Sequence, residues 1–322
     1  MRKTIFLFCM LLLIQMVGCG TSNTSDSVDT PTTVSEYSLS HGIASMDILK
    51  ENLRYTGTPI QIEYEFQNGN VNSNLGLLLF LDGHIQPFSV DNNGEPKVMN
   101  IVDLRANSKK TITISLDPIE GKLGEIIPLH IVAIFDAGNT IQTPTIAISF
   151  FQALSQAFPV RVEFQKDSSC ILDKNLYNSQ FILEAESGSV SKLDIQRTDT
   201  DAGTESKLVL QGFLSGNDQE SKYMKIGEPY TLELSNVSDE SAQYHIFCFI
   251  NNEPVLWEDS PFYSITVPSK SAATIDIKEI KENNNDFSES EEKQLFFIAV
   301  PIHDASKQLG TMVLKTKTVN LK

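Results

Sequence analysis

Leu77–Phe88 reads LLLFLDGHIQPF, and this stretch decides the fold. An apolar run meets Asp82-Gly83, then a second run carries on. Asp-Gly between apolar runs signals a two-residue hairpin, because a type I′ turn needs positive φ at both central residues. The same shape returns as IFCFINNEPVLW, Ile246–Trp257, with Asn251-Asn252 at the turn. The chain is organised around two copies of this hairpin.

A two-residue turn sets Leu81 opposite His84 and Phe80 opposite Ile85. Leu78, Phe80 and Ile85 then share one face, read here as the core side. Leu77, Leu79 and Leu81 share the other, which should be polar if water wets it. The second copy behaves alike, with Phe247 and Phe249 on one face and Ile246, Cys248 and Ile250 on the other. Two readings stay open for the Leu77, Leu79, Leu81 stripe: it is covered by neighbouring chain, or it touches another domain or a partner. Pro87 and Pro254 sit in the second strand of each hairpin. Proline donates nothing to a ladder, so both are expected on edge strands or at bulges.

Outward from the hairpin, short segments rich in β-branched residues alternate with turn signals such as Asn68-Gly69-Asn70 and Asn92-Asn93-Gly94. Strands are expected near 43–49, 59–66, 75–81, 84–90, 98–104, 111–116, 129–136 and 143–151. No window holds a helical period over three turns. The expectation is an all-β chain with immunoglobulin-like antiparallel β-sandwiches. Landmarks recur in order. Gly57-Thr58-Pro59 is echoed by Gly227-Glu228-Pro229, Phe80 by Phe249, SKKTITI from Ser108 by SAATIDI from Ser271, and Asp136 by Asp304. Offsets of 163 to 170 in constant order indicate two tandem, independent sandwiches. Domain 1 is expected at 37–154. Domain 2, at 155–322, carries extra N-terminal strands, including Val160–Phe164. Asp199–Glu205 and Glu282–Glu292 read as exposed loops.

The first residues, MRKTIFLFCMLLLIQMVGCG, join a basic start (Arg2, Lys3) to an apolar stretch, Ile5–Val17, too short for a comfortable membrane span. Met16-Val17-Gly18-Cys19 resembles the lipobox of bacterial lipoproteins, with Met16 in place of leucine. The resemblance covers only the leader. It implies a signal peptide at 1–18, a diacylglyceryl group on Cys19, and an extracytoplasmic protein anchored to the bacterial membrane by acyl chains such as palmitate. Residues 19–36 follow as a Ser/Thr/Asp-rich flexible tether.

Acidic side chains number 41 against 25 Lys plus Arg, for a formal charge of −16. That argues against nucleic acid or an anionic bilayer surface as the main ligand, and no nucleic-acid partner is expected. Two cysteines remain beyond the leader. Cys170 and Cys248 are a possible disulfide in an oxidising space, where closing so long a loop is worth about 4.5 kcal/mol. The alternative is that Cys248 is a buried apolar residue. No Cys or His spacing suggests a metal, no cofactor motif is present, and no nucleophile has a base beside it. His303-Asp304 is the one tempting pair, and its counterpart Phe135-Asp136 lacks the histidine. The expectation is therefore a non-catalytic, lipid-anchored surface protein that binds or positions another envelope or extracellular macromolecule. Trp257, Phe262 and Tyr263 beside acidic residues raise a rival, a glycan or small-molecule module. An accessory subunit of an envelope or transport complex is a third. Candidate contacts are thus Trp257, Phe262, Tyr263, Leu77, Leu79 and Leu81.

Overall fold

The computed structural model describes residues 38–44, 52–138, 153–156, 160–168, 176–192, 208–214, 223–224, 229–236, 239–282, 293–302, 313–316 and 318–321. The leader, Cys19, the tether, the expected strand at 143–151, Cys170, the loop at 199–205, most of the loop at 282–292 and His303-Asp304 lie outside these residues.

The first half supplies β1 (Leu39–Ile43), β2 (Leu53–Tyr55), β3 (Ile60–Asn68), β4 (Ser73–Leu81), β5 (His84–Ile85), β6 (Phe88–Val90), β7 (Asn93–Lys97), β8 (Met99–Leu104), β9 (Lys109–Leu116), β10 (Ile126–Phe135), β11 (Leu154–Gln156) and β12 (Val160–Phe164). The second supplies β13 (Asn178–Lys192), β14 (Leu208–Leu214), β15 (Tyr223–Met224), β16 (Tyr230–Asn236), β17 (Ala242–Ile250), β18 (Glu253–Trp257), β19 (Tyr263–Val267), β20 (Ser271–Glu282), β21 (Lys293–Pro301), β22 (Leu314–Lys315) and β23 (Val319–Leu321).

Both hairpins form with two-residue turns. Phe80 pairs with Ile85 and Leu81 with His84, and Phe249 pairs with Pro254 and Ile250 with Glu253. Asp82, Gly83, Asn251 and Asn252 have φ of 45°, 81°, 51° and 68°, as a type I′ turn demands. Around the first hairpin two sheets stack. One runs β1-β3-β9-β6-β7, and the other runs β2-β12-β10-β4-β5 with β11 on β10 and β8 on β4. Pro87 lies where the chain leaves the second sheet after β5 and enters the first as β6. The Gln86 amide still donates to Leu79 O at 2.8 Å, and the proline, with no donor, ends the pairing there.

Of the two expectations for Pro254, the edge strand fails, because β18 is interior, between β17 and β13, while the β13–β18 pairing beside it is irregular. Beside the turn-flanking pair Ile250–Glu253, Phe249–Pro254 is a non-hydrogen-bonded pair. The missing N–H would therefore point away from β17. On its other side β18 pairs with β13 only from Val255 onward, across a register shift. In this half β13 bonds to both β20 and β18, so the two layers merge into one 11-stranded sheet.

The duplication holds in the strand register. Ser73–Leu104 corresponds to Ala242–Val267, Gln67–Lys109 to Ser235–Ala272, and Leu81–Leu129 to Ile250–Leu295. The last correspondence aligns Asp136 with Ile302 rather than with Asp304. Asn107 and Lys270, again equivalent, share a left-handed φ near 50°.

Three points of the sequence reading are corrected. First, Val160–Phe164 belongs to the first sandwich, not the second. β12 pairs with β10 and β2, and Val160, Val162 and Phe164 lie in the first core, so a boundary at 154 falls too early. Second, the faces of β4 are reversed. Leu77, Leu79 and Leu81 line the interior of the first sandwich with Ile62, Tyr64 and Phe66. Third, the sandwiches are not independent. Leu78, Phe80, Ile85, Val132 and Ile134 on the outer face of the first pack on Phe247, Phe249, Phe296, Ile298 and Val300 of the second. Strands that must bury both faces need unbroken apolar runs, which is why β4 and β17 lack the alternation of β3 and β16. Ser35–Lys322 accordingly forms one compact unit.

Candidate functional site: the seam between the sandwiches

The seam is built reciprocally. Gly83 at the first turn meets the end of β21, where an added Cβ would lie 3.2 Å from Ile302 Cγ1. Its carbonyl accepts a hydrogen bond from His245 Nδ1 at 3.0 Å. At the equivalent turn Asn252 Nδ2 donates to Ala137 O, just past β10, at 2.6 Å. Each turn thus docks on the far end of the other half's strand, the internal form of a two-fold interface. Between them Phe80 meets Phe247 at 5.5 Å and Phe249 stacks on Phe296 at 5.1 Å.

At one edge His245 stacks on Phe262 at 3.6 Å, and His84 lies 4.8 Å from His245. His84 Nδ1 donates to Glu120 Oε1 at 2.6 Å. At the other edge His130, 1% exposed, accepts at Nδ1 from Gln156 Nε2 at 3.0 Å. Gln156 Oε1 takes the Val313 amide of the second half at 2.8 Å, which fixes the direction of that carboxamide. His130 must then carry its proton on Nε2, where no partner meets it. Burial pushes its pKa down from 6.5 to about 4, and burial moves His41 the same way to about 4. Lys315, its Nζ 4.4 Å from the Phe296 ring and bonded to Thr316 O and Thr318 Oγ1, is lowered by burial to about 7.

A pH prediction follows from His130. Its folded pKa lies below its unfolded one, so between pH 6.5 and 4 the unfolded chain binds more protons. Stability is then full above pH 6.5 and falls through that window, by about 3 kcal/mol for a shift of this size. Urea midpoints from pH 7.5 to 4.5 should fall in the parent and fall less in His130→Leu. Parallel curves for the two would refute the assignment.

Of the expected contact residues, Trp257, Leu77, Leu79 and Leu81 are interior, and Phe262 and Tyr263 are half-buried. Trp257 is 4% exposed and packs on Tyr263 and Phe297, so the glycan reading is withdrawn. Phe262 closes the histidine edge of the seam, and Tyr263 is part-buried with its hydroxyl 2.7 Å from Ser187 Oγ. Leu77, Leu79 and Leu81 are fully buried. Cys248 is a free thiol in the second core, its pKa raised by burial. Among the described residues no group of three or more His, Cys, Asp and Glu is placed to hold a metal ion.

Sequence reasoning missed a pair of buried asparagines. Asn68 Nδ2 donates to Val71 O at 2.7 Å and Arg105 O at 2.9 Å, with Leu104 O at 3.5 Å. Asn236 Nδ2 donates to Glu240 O at 2.8 Å, Val267 O at 3.1 Å and Pro268 O at 3.2 Å. These six carbonyls are equivalent pairwise. Both asparagines end a strand that alternates apolar and polar, on the apolar parity, and that was the available signal.

No protein-family model and no curated protein matches the sequence. Among solved structures, the chain is similar to the CsuC–CsuE chaperone–tip adhesion subunit pre-assembly complex of archaic chaperone–usher Csu pili from Acinetobacter baumannii. Identity is 10%, covering 84% of this chain and 94% of that one, with a TM-score of 0.25. The periplasmic chaperone SfaE gives 9% identity over 88% and 100%, with a TM-score of 0.22. A red sea bream transglutaminase gives 10% over 89% and 31%, with a TM-score of 0.18. Likenesses at these scores carry no functional argument, and the fold rests on the strand pairing.

Proposed function

We propose that this chain is a non-catalytic extracytoplasmic protein, held at a bacterial membrane by a lipid on Cys19, that binds or positions another macromolecule. The seam supports this reading most. Two sandwiches joined face to face by aromatic side chains and reciprocal turn contacts present fixed surfaces rather than a hinged cleft, as a positioning element requires. The lipobox resemblance at Met16–Cys19 supports the address. The acidic balance supports a protein partner over nucleic acid.

The test has two arms in the bacterium that makes the protein. Alkynyl-palmitate labelling should tag the full chain, and Cys19→Ala should lose both the tag and the membrane fraction. Short amine-reactive crosslinking of intact cells should join the chain to an envelope macromolecule. Label retained by Cys19→Ala would overturn the anchor, and the absence of any adduct would overturn the positioning role.

A further inference from the structure

We propose that Asn93-Gly94, in the β6–β7 hairpin, is a self-modifying site: the Asn93 carboxamide converts to isoaspartate or aspartate in the folded chain, with water as the co-reactant. The sequence holds two Asn-Gly pairs, Asn68-Gly69 and Asn93-Gly94. In both, no side chain on the glycine shields its amide nitrogen, which can then attack the side chain before it. The fold shuts one pair and leaves the other open.

At Asn68-Gly69 the reacting groups are held. Asn68 is 5% exposed, and its Nδ2 is committed to Val71 O, Leu104 O and Arg105 O. The Gly69 amide donates to Ser38 O at 2.7 Å, and a Cβ on Gly69 would collide with the Ser38 hydroxyl. Ring closure there would forfeit all of these buried hydrogen bonds together.

Asn93-Gly94 is set differently. β7 is the outermost strand of its sheet, and all five of its side chains are exposed. The hairpin is anchored on the β6 side of the turn, where Asp91 N donates to Thr113 O at 2.7 Å and Thr113 N to Asp91 Oδ1 at 2.8 Å. Beyond the turn, β7 pairs with β6 at Val90–Asn93 and Phe88–Lys97. A register shift between these pairs sets Gly94, Glu95 and Pro96 against Ser89 alone. Gly94 has a φ of 78°, and a Cβ built on it meets nothing within 4 Å. Asn93 must leave its extended conformation for a ring to close, and an exposed, irregular edge gives way at little cost.

The step balances with water alone. Gly94 N bonds to Asn93 Cγ, the Cγ–Nδ2 bond breaks, and Nδ2 departs as ammonia with the proton that Gly94 N gives up. Water then opens the cyclic imide. Attack at Cγ returns an ordinary chain carrying aspartate. Attack at the main-chain carbonyl carbon gives isoaspartate, whose backbone runs through Cβ and Cγ. Either product adds one negative charge to an already acidic chain. Isoaspartate also lengthens the backbone beside the Val90–Asn93 pair, so β7 loses its register and the short β6 becomes the edge of its sheet.

The test ages the purified full-length chain in detergent at neutral pH, folded and in urea. Cleavage before aspartate puts Asn68 in Asp47–Leu81 and Asn93 in Asp91–Val102, and fragment-ion masses assign the converted position. Methyl transfer by an isoaspartyl methyltransferase reads the isoaspartate. In the folded chain position 93 should convert at least about tenfold faster than position 68, and in urea the two rates should come together, because the ratio reports the cost of opening each site. Gly94→Ala should slow position 93 in urea as well as in the fold and leave position 68 unchanged. Equal rates at 68 and 93 in the folded chain, conversion at 93 only in urea, or conversion at Asn92 or Asn100 ahead of Asn93 would overturn the site. Conversion at 93 indifferent to Gly94→Ala would overturn the ring-closure route.

Discussion

Phe249→Ala is expected to destabilise the protein by about 3–5 kcal/mol, and Phe80→Asp to break its two halves apart in unfolding. Phe249 is fully buried, stacked on Phe296 and enclosed by side chains from both sandwiches. Deleting its ring removes transfer free energy and leaves a cavity between two rigid sheets that collapse poorly around it. Phe80→Asp acts on the joint itself, bringing a carboxylate into the apolar cluster against Phe247. Trp257 is the single tryptophan and lies in the second core, so its fluorescence reports that half while far-ultraviolet circular dichroism reports the whole. Urea unfolding should give coincident curves by both probes in the parent and separated curves in Phe80→Asp. Coincident curves in the variant, with a midpoint near the parent's, would show that the seam is contact without coupling.

Turn chemistry, strand type and duplication were legible because each is local. Asp82-Gly83 and Asn251-Asn252 announce their φ values in their own residue types. The apolar runs of β4 and β17 also carried the message that both faces are buried. What the runs could not carry was which neighbour covers which face. Leu77 and Leu78 are equally apolar, and only the path of β12 back to β10, and of Phe247 onto Phe80, decides that one faces its own core and the other the second sandwich. Trp257 misled for a related reason, since aromatic and acidic residues adjacent in sequence end on opposite sides of a strand. Trp257 turns in to Phe297 while Glu258, at positive φ, begins the turn beyond it and is exposed.

Asn68→Ala and Asn236→Ala are each expected to cost about 2–4 kcal/mol, and by similar amounts. Each carboxamide donates to carbonyls of two loop-entering segments and so ties them together at that corner. Loss of one buried partner costs about 1–3 kcal/mol per group left unsatisfied. A cavity account would predict the same fall for alanine, so Asn68→Asp separates the two. It keeps the volume and replaces the donor with an ionised acceptor facing Val71 O and Arg105 O. It should therefore be worse than alanine at pH 7, and should recover relative to the parent toward pH 5 as the carboxyl protonates and donates again. Chemical denaturation at the two pH values reads both effects. If Asn68→Asp is milder than Asn68→Ala at neutral pH, packing rather than hydrogen bonding holds the corner. If only one of the two alanine variants is costly, the equivalence of the two corners is geometric and not energetic. Equal costs would mean that a buried polar device, harder to keep than an apolar contact, has been held in both halves while most surrounding side chains changed, which ties the corner to forming the sandwich itself.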